Sequence, residues 1–129
     1  MLFHTFSSQE ERRALGGGDF VELACCRLPR GTDLKTILSR YSFWSNDSLY
    51  ICGDDMEDFC AAYGKIITGG MYGNLKAGPL DWCGVNCFSP EQASFIMDKI
   101  REEKPMDFEP LLSWLERETE FNGFYVLGL

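Results

Sequence analysis

Segments of helical period alternate along this chain with short strand-type runs, without the regular β-α-β rhythm that a parallel sheet demands. Apolar residues fall at i, i+3, i+4 and i+7 in four places. The first begins near Asp33, with Leu34, Ile37, Leu38 and Tyr41 on one face and Thr32 or Asp33 as its cap. The second begins near Asp54 and aligns Met56, Phe59, Cys60, Tyr63 and Ile67. In the third, Ser89-Pro90-Glu91-Gln92 supplies a capping hydroxyl, a proline where no amide donor is needed and a glutamine to complete a capping box, ahead of Ala93, Ile96, Met97 and Ile100. The fourth opens at Asp107 with Phe108, Leu111, Leu112 and Leu115, and tolerates Pro110 only in its first turn. A shorter fifth helix runs from Ser8 to Leu15, with overlapping capping boxes at Ser7/Glu10 and Ser8/Glu11, and stops at Gly16-Gly17-Gly18.

Strand-type runs lie at Phe20–Cys26, Leu49–Cys52, Trp82–Phe88 and Phe124–Leu129, with a further run at Leu2–Phe6. The expected fold class is therefore α+β: a single domain over residues 1–129, with a small mixed or antiparallel sheet covered by four to five helices. Thr68–Pro79, with four glycines in twelve positions, reads as the mobile part. A length of 129 residues with 45% apolar side chains is enough to bury one real core without covalent staples.

The chemistry on offer is narrow. His4 is the only histidine, so a Ser-His or Cys-His pair, or a histidine-rich metal site, would have to recruit that one imidazole. Six cysteines, at positions 25, 26, 52, 60, 83 and 87, lie in periodic apolar segments and read as free, mostly buried thiols. Cys83 and Cys87, four apart on a strand, would stand about 13 Å from each other, beyond disulfide reach. Adjacent Cys25 and Cys26 would point to opposite faces. There is no Cys-x2-Cys, no phosphate-binding lysine loop and no G-x-G-x-x-G, so no metal and no cofactor are expected. A carboxylate enzyme using Asp54, Asp55, Asp58 or Asp81 ranks low, because no spacing singles out a pair. The start MLFHTFSSQEERRAL has neither a basic nor an apolar leader region, and a cytoplasmic protein is expected.

Charge is placed unevenly. Residues 1–40 carry six basic and five acidic side chains, residues 41–129 six basic and fifteen acidic, for a net charge of −8 overall. Such a field disfavours nucleic acid and anionic membrane and steers basic partners inward. Its densest point is Asp54-Asp55-Met56-Glu57-Asp58, which a helix start would favour through capping and the dipole, and which could equally be a docking patch for a basic protein. Trp44 and Tyr72, aromatic residues in loop-like segments, are the candidate anchors beside it.

The acidic α+β body, with the ending Leu111-Leu112-Ser113-Trp114-Leu115-Glu116 and Asn122-Gly123-Phe124-Tyr125-Val126-Leu127-Gly128-Leu129, resembles bacterial immunity proteins, the antidotes of contact-dependent inhibition, Rhs and type VI toxins. The resemblance implies a stoichiometric, non-catalytic inhibitor of a toxin domain, often a basic nuclease. The expected contact residues are Asp54, Asp55, Glu57, Asp58, Trp44 and Tyr72. The alternative is an adaptor, a secretion chaperone or a small-ligand domain with residues 68–79 as a lid. An exposed Trp114 face or an unpaired last strand would support a homodimer.

Overall fold

The computed structural model describes residues 1–15, 19–39, 44–68, 70–72, 77–78, 84–118 and 122–128. Helix α1 (Gln9–Ala14) leads to strand β1 (Phe20–Cys25), α2 (Leu34–Ser39) and β2 (Leu49–Cys52). A 3-10 turn, Gly53–Asp55, then runs into α3 (Met56–Tyr63). Strands β3 (Gly70–Tyr72), β4 (Ala77–Gly78) and β5 (Val85–Phe88) follow, then α4 (Pro90–Glu103), α5 (Phe108–Glu118) and β6 (Phe124–Leu127). The sheet order is β2-β1-β6-β5-β3-β4, with every pairing antiparallel. The chain is thus a single α+β domain, and four of its strands have four residues or more.

Two departures from expectation matter. The last strand is not an unpaired edge: β6 lies between β1 and β5, matching Leu23 with Val126 on one side and Asn86 with Val126 on the other. Within the glycine-rich segment, Gly70–Tyr72 and Ala77–Gly78 are sheet, because Met71 pairs with both Ala77 and Cys87. Leu2–Phe6 contributes only one bridge, His4 to Tyr50, along the outer side of β2.

Alternation along the strands gives the sheet two covered faces. Val21, Leu23, Leu49, Ile51, Phe88, Phe124 and Val126 join Phe59 and Tyr63 of α3, Ala93, Ile96 and Ile100 of α4, and Leu111, Trp114 and Leu115 of α5 in the larger core. Phe88 and Phe124 stack at 4.8 Å between centroids, and Trp114 meets Phe124 edge-on. Trp114 is 1% exposed, so it belongs to this core and offers no face to a neighbour. On the other side, Ala24, Cys87, Tyr125 and Leu127 pack with Cys26 and with Ile37 and Leu38 of α2.

Local signals explain the element ends. Ser89 accepts from the Gln92 amide and Gln92 returns the bond to Ser89, closing the expected box on α4. Of the two candidate caps for α2, Asp33 fills the role, accepting from the Thr36 amide at 3.0 Å. Asp107 has φ +54, and its carboxylate accepts from the Leu2 amide at 2.9 Å, pinning the first residues to the mouth of α5. The expected positions Gly16–Gly18, Tyr41, Asp81, Trp82, Cys83, Pro79 and Leu129 lie outside the described residues.

Candidate functional site

The acidic run is assembled at the end of β2. Gly53 donates its amide to the Asp19 carbonyl at 2.9 Å, and a Cβ at Gly53 would meet that oxygen at 3.2 Å. This close approach turns the chain into the 3-10 segment and brings Asp19 beside Asp54. Asp54, Glu57 and Asp58 are exposed and Asp55 is half-buried. Asp55 occupies the cap position of α3, yet its side chain makes no capping bond. The capping explanation for the run therefore falls away and only the dipole of α3 remains, worth about 0.3–1 kcal/mol at an exposed helix start. Among the described residues, none of the four carboxylates has an ion-pair partner.

Trp44 is placed at the opposite end of the sheet. Because Phe20 pairs with Cys52 and Leu23 with Leu49, the acidic run follows the Cys52 end of β2, and residues 44–48 precede the Leu49 end. The four residues of β2 lie between them, about 13 Å. Tyr72, placed by its backbone in β3, is separated from β2 by β1, β6 and β5, about 19 Å at the usual strand spacing. The structure thus gathers Asp54, Asp55, Glu57 and Asp58 and leaves Trp44 and Tyr72 apart from them.

The segment 44–48 is held by a polar network that sequence reasoning missed. At its centre is Glu22, 3% exposed in the middle of β1. Its carboxylate accepts from the Trp44 amide and from the Ser48 hydroxyl, each at 2.7 Å. Tyr50, opposite Glu22 on β2, accepts from the Ser45 amide at 2.9 Å and donates to the Ser45 carbonyl at 2.8 Å. Trp114 donates its indole N–H to the Asp47 carbonyl at 2.7 Å, and the Asp47 carboxylate pairs with Arg27 and accepts from the Ser45 hydroxyl. The Arg12 guanidinium lies 5.7 Å from the Tyr50 ring centroid and 5.9 Å from that of Phe20.

Burial raises the Glu22 carboxyl above its ordinary range, outweighing the hydrogen bonds from Ser48 and Trp44 and the positive charge of Arg12. Burial also pushes Tyr50 up to about 12, with the Glu22 charge adding to it. The one sequence signal for this network is a glutamate in the run Phe20-Val21-Glu22-Leu23-Ala24. Such a residue ordinarily marks a solvent face.

Trp44 itself is costly. Its φ of +70 places a bulky side chain in the left-handed region, a strain of about 1–2 kcal/mol. Its indole Nε1 is buried with no hydrogen-bond partner among the described residues, a further cost of about 1–3 kcal/mol. Hydrogen bonds to a charged acceptor such as Glu22 return about 1.5–3 kcal/mol each, which is enough to hold the segment in place.

The described thiols lie in or beside the core. Cys26 and Cys87 are buried, while Cys25, Cys52 and Cys60 are half-buried. The Cys26 thiol donates to the Tyr125 hydroxyl at 3.7 Å, which in turn donates to the Ile37 carbonyl at 2.6 Å. Cys87 is paired with Tyr125, which faces Ala24 on the other side, so Cys26 sits two strands and two residues away. That is about 11 Å between Cα atoms, too far for a bridge. Burial pushes the Cys87 thiol up to about 12, away from nucleophilic use. Among the described residues no group of three His, Cys, Asp or Glu side chains could hold a metal ion. No described helix is long and apolar enough to cross a membrane. No family model matches the chain, and no curated protein or solved structure is significantly similar to it.

Proposed function

We propose that this chain is a stoichiometric binding protein that neutralises a basic toxin domain, as an immunity protein does, without chemistry of its own. The observation that supports this reading is the acidic run at the start of α3. Four carboxylates stand on a fixed 3-10 turn and helix start, not spent on capping and without an ion-pair partner among the described residues. Their unneutralised charge favours a cationic surface and accelerates its approach. A partner covering about 800 Å² of this chain would extend about 30 Å, enough to reach both the acidic run and Trp44.

The test begins with affinity capture of the tagged protein from its own cells and elution with stepped salt. A single stoichiometric toxin domain, released only by high salt or denaturant, is the expected result. With that domain in hand, reversing Asp54, Asp55, Glu57 and Asp58 to lysine should slow association at least tenfold and leave the circular dichroism spectrum unchanged. Capture of no protein, or association at the parental rate after reversal, would remove the reading or its acidic site respectively.

A further inference from the structure

Two independent strains meet at Trp44: a left-handed backbone and an indole N–H buried without a partner among the described residues. One movement relieves both. If the backbone of this half-buried residue returns to the ordinary extended or helical region, the indole N–H can leave its buried position and become free to donate. On the C-terminal side the segment keeps its ties through this movement. Ser45 is held by Tyr50, the Asp47 carbonyl by Trp114, and Ser48 by Glu22, all after Trp44. The Trp44 amide is tied by Glu22 Oε1.

We propose that Trp44 is a gated anchor, tied through its amide to Glu22 of β1 in the free protein and turned outward in the bound one to donate its indole N–H to a carbonyl or carboxylate within an apolar patch of the partner, with Glu22 as the positioning residue that holds it closed. Strain concentrated at one half-buried aromatic residue is the feature that motivates a two-state element, in contrast to nearby Trp114, whose core indole is satisfied. Tryptophan suits the open role because it brings a large apolar surface with a single donor. The inference rests on the binding-protein reading for its partner, but the gate itself belongs to the isolated chain.

The experiment is therefore done without a partner. In protein labelled with nitrogen-15 at tryptophan, the Trp44 indole signal is identified by its loss in Trp44→Phe, and the Trp114 indole serves as the internal reference. A gate predicts microsecond-to-millisecond relaxation dispersion at Trp44 and hydrogen exchange at least tenfold faster than at Trp114. In Glu22→Gln, where a neutral acceptor replaces the carboxylate, the open population should rise at least threefold while the Trp114 signal stays unchanged. A Trp44 signal free of dispersion and as protected as Trp114 would overturn the gate, and the wild-type measurement decides this even if Glu22→Gln does not fold. Failure to capture a partner would sink the binding reading and leave the exchange result standing.

Discussion

Gly123 offers the sharpest test of the fold. It precedes β6 with φ +80, and a Cβ there would lie 2.0 Å from the Phe88 carbonyl oxygen and 2.9 Å from the Ser89 carbonyl carbon, both backbone atoms. In Gly123→Ala the positive φ costs about 1–2 kcal/mol. The contact then has to open by about 1 Å, which sets the Phe88–Phe124 stack and the Cys26 amide bond to the Gly123 carbonyl at risk. Losing that hydrogen bond and part of the stacking adds about 2–3 kcal/mol, for a total of about 3–5 kcal/mol. For a domain of this size that lowers the melting temperature by about 10–20 °C. Gly31 is the control, with φ +90 and nothing within 4 Å of its would-be Cβ, so Gly31→Ala carries the strain alone. Urea denaturation of the two variants, read by circular dichroism with a shared slope, separates the terms. If Gly123→Ala costs no more than Gly31→Ala, the close packing of β6 against the end of β5 is refuted.

Two further predictions concern titration and reactivity. Because the Glu22 carboxyl is raised in the folded state, its stabilising contribution is fully present below its unfolded value of 4.5 and is lost as pH rises through the folded value. Stability of the wild type should therefore fall relative to Glu22→Gln between pH 4.5 and 7, and parallel urea midpoints across that range would contradict the burial of this group. Cys87, buried and pushed up to about 12, should resist alkylation by iodoacetamide at pH 8 in the native protein and react once urea unfolds it, as peptide mass mapping would read.

The sequence carried the local signals and lost the long-range ones. The box at Ser89 and Gln92, the Asp33 cap and the stripe of α4 are written within a few residues of one another, and each forms as expected. Strands β3 and β4 were illegible because Gly70, Gly78 and their neighbours have low strand propensity, and pairing with β5 overrides it. Glu22 is hard to read from sequence for a related reason. A single glutamate in a strand looks solvated unless the second face of the sheet is known to be covered, and the residues that complete its site, Trp44, Ser48 and Tyr50, stand more than twenty positions away. The acidic run was visible from composition alone, but only the geometry shows that Asp55 caps nothing.

The placing of β6 at the middle of the sheet also sets the order in which the molecule can be made. Glu22 pairs with Leu127 and Val85 with that same residue, so β1 waits through about a hundred residues of synthesis for its second neighbour. At ribosomal speeds of about 5–20 residues per second that is a wait of about 5–20 seconds, with the edge of β1 open throughout and that of β5 open once it is made. A nascent chain cut short before Phe124 is left as two half-sheets rather than as a weakened domain. The six strands become one sheet in a single step, when the last described strand slides between two that were made before it.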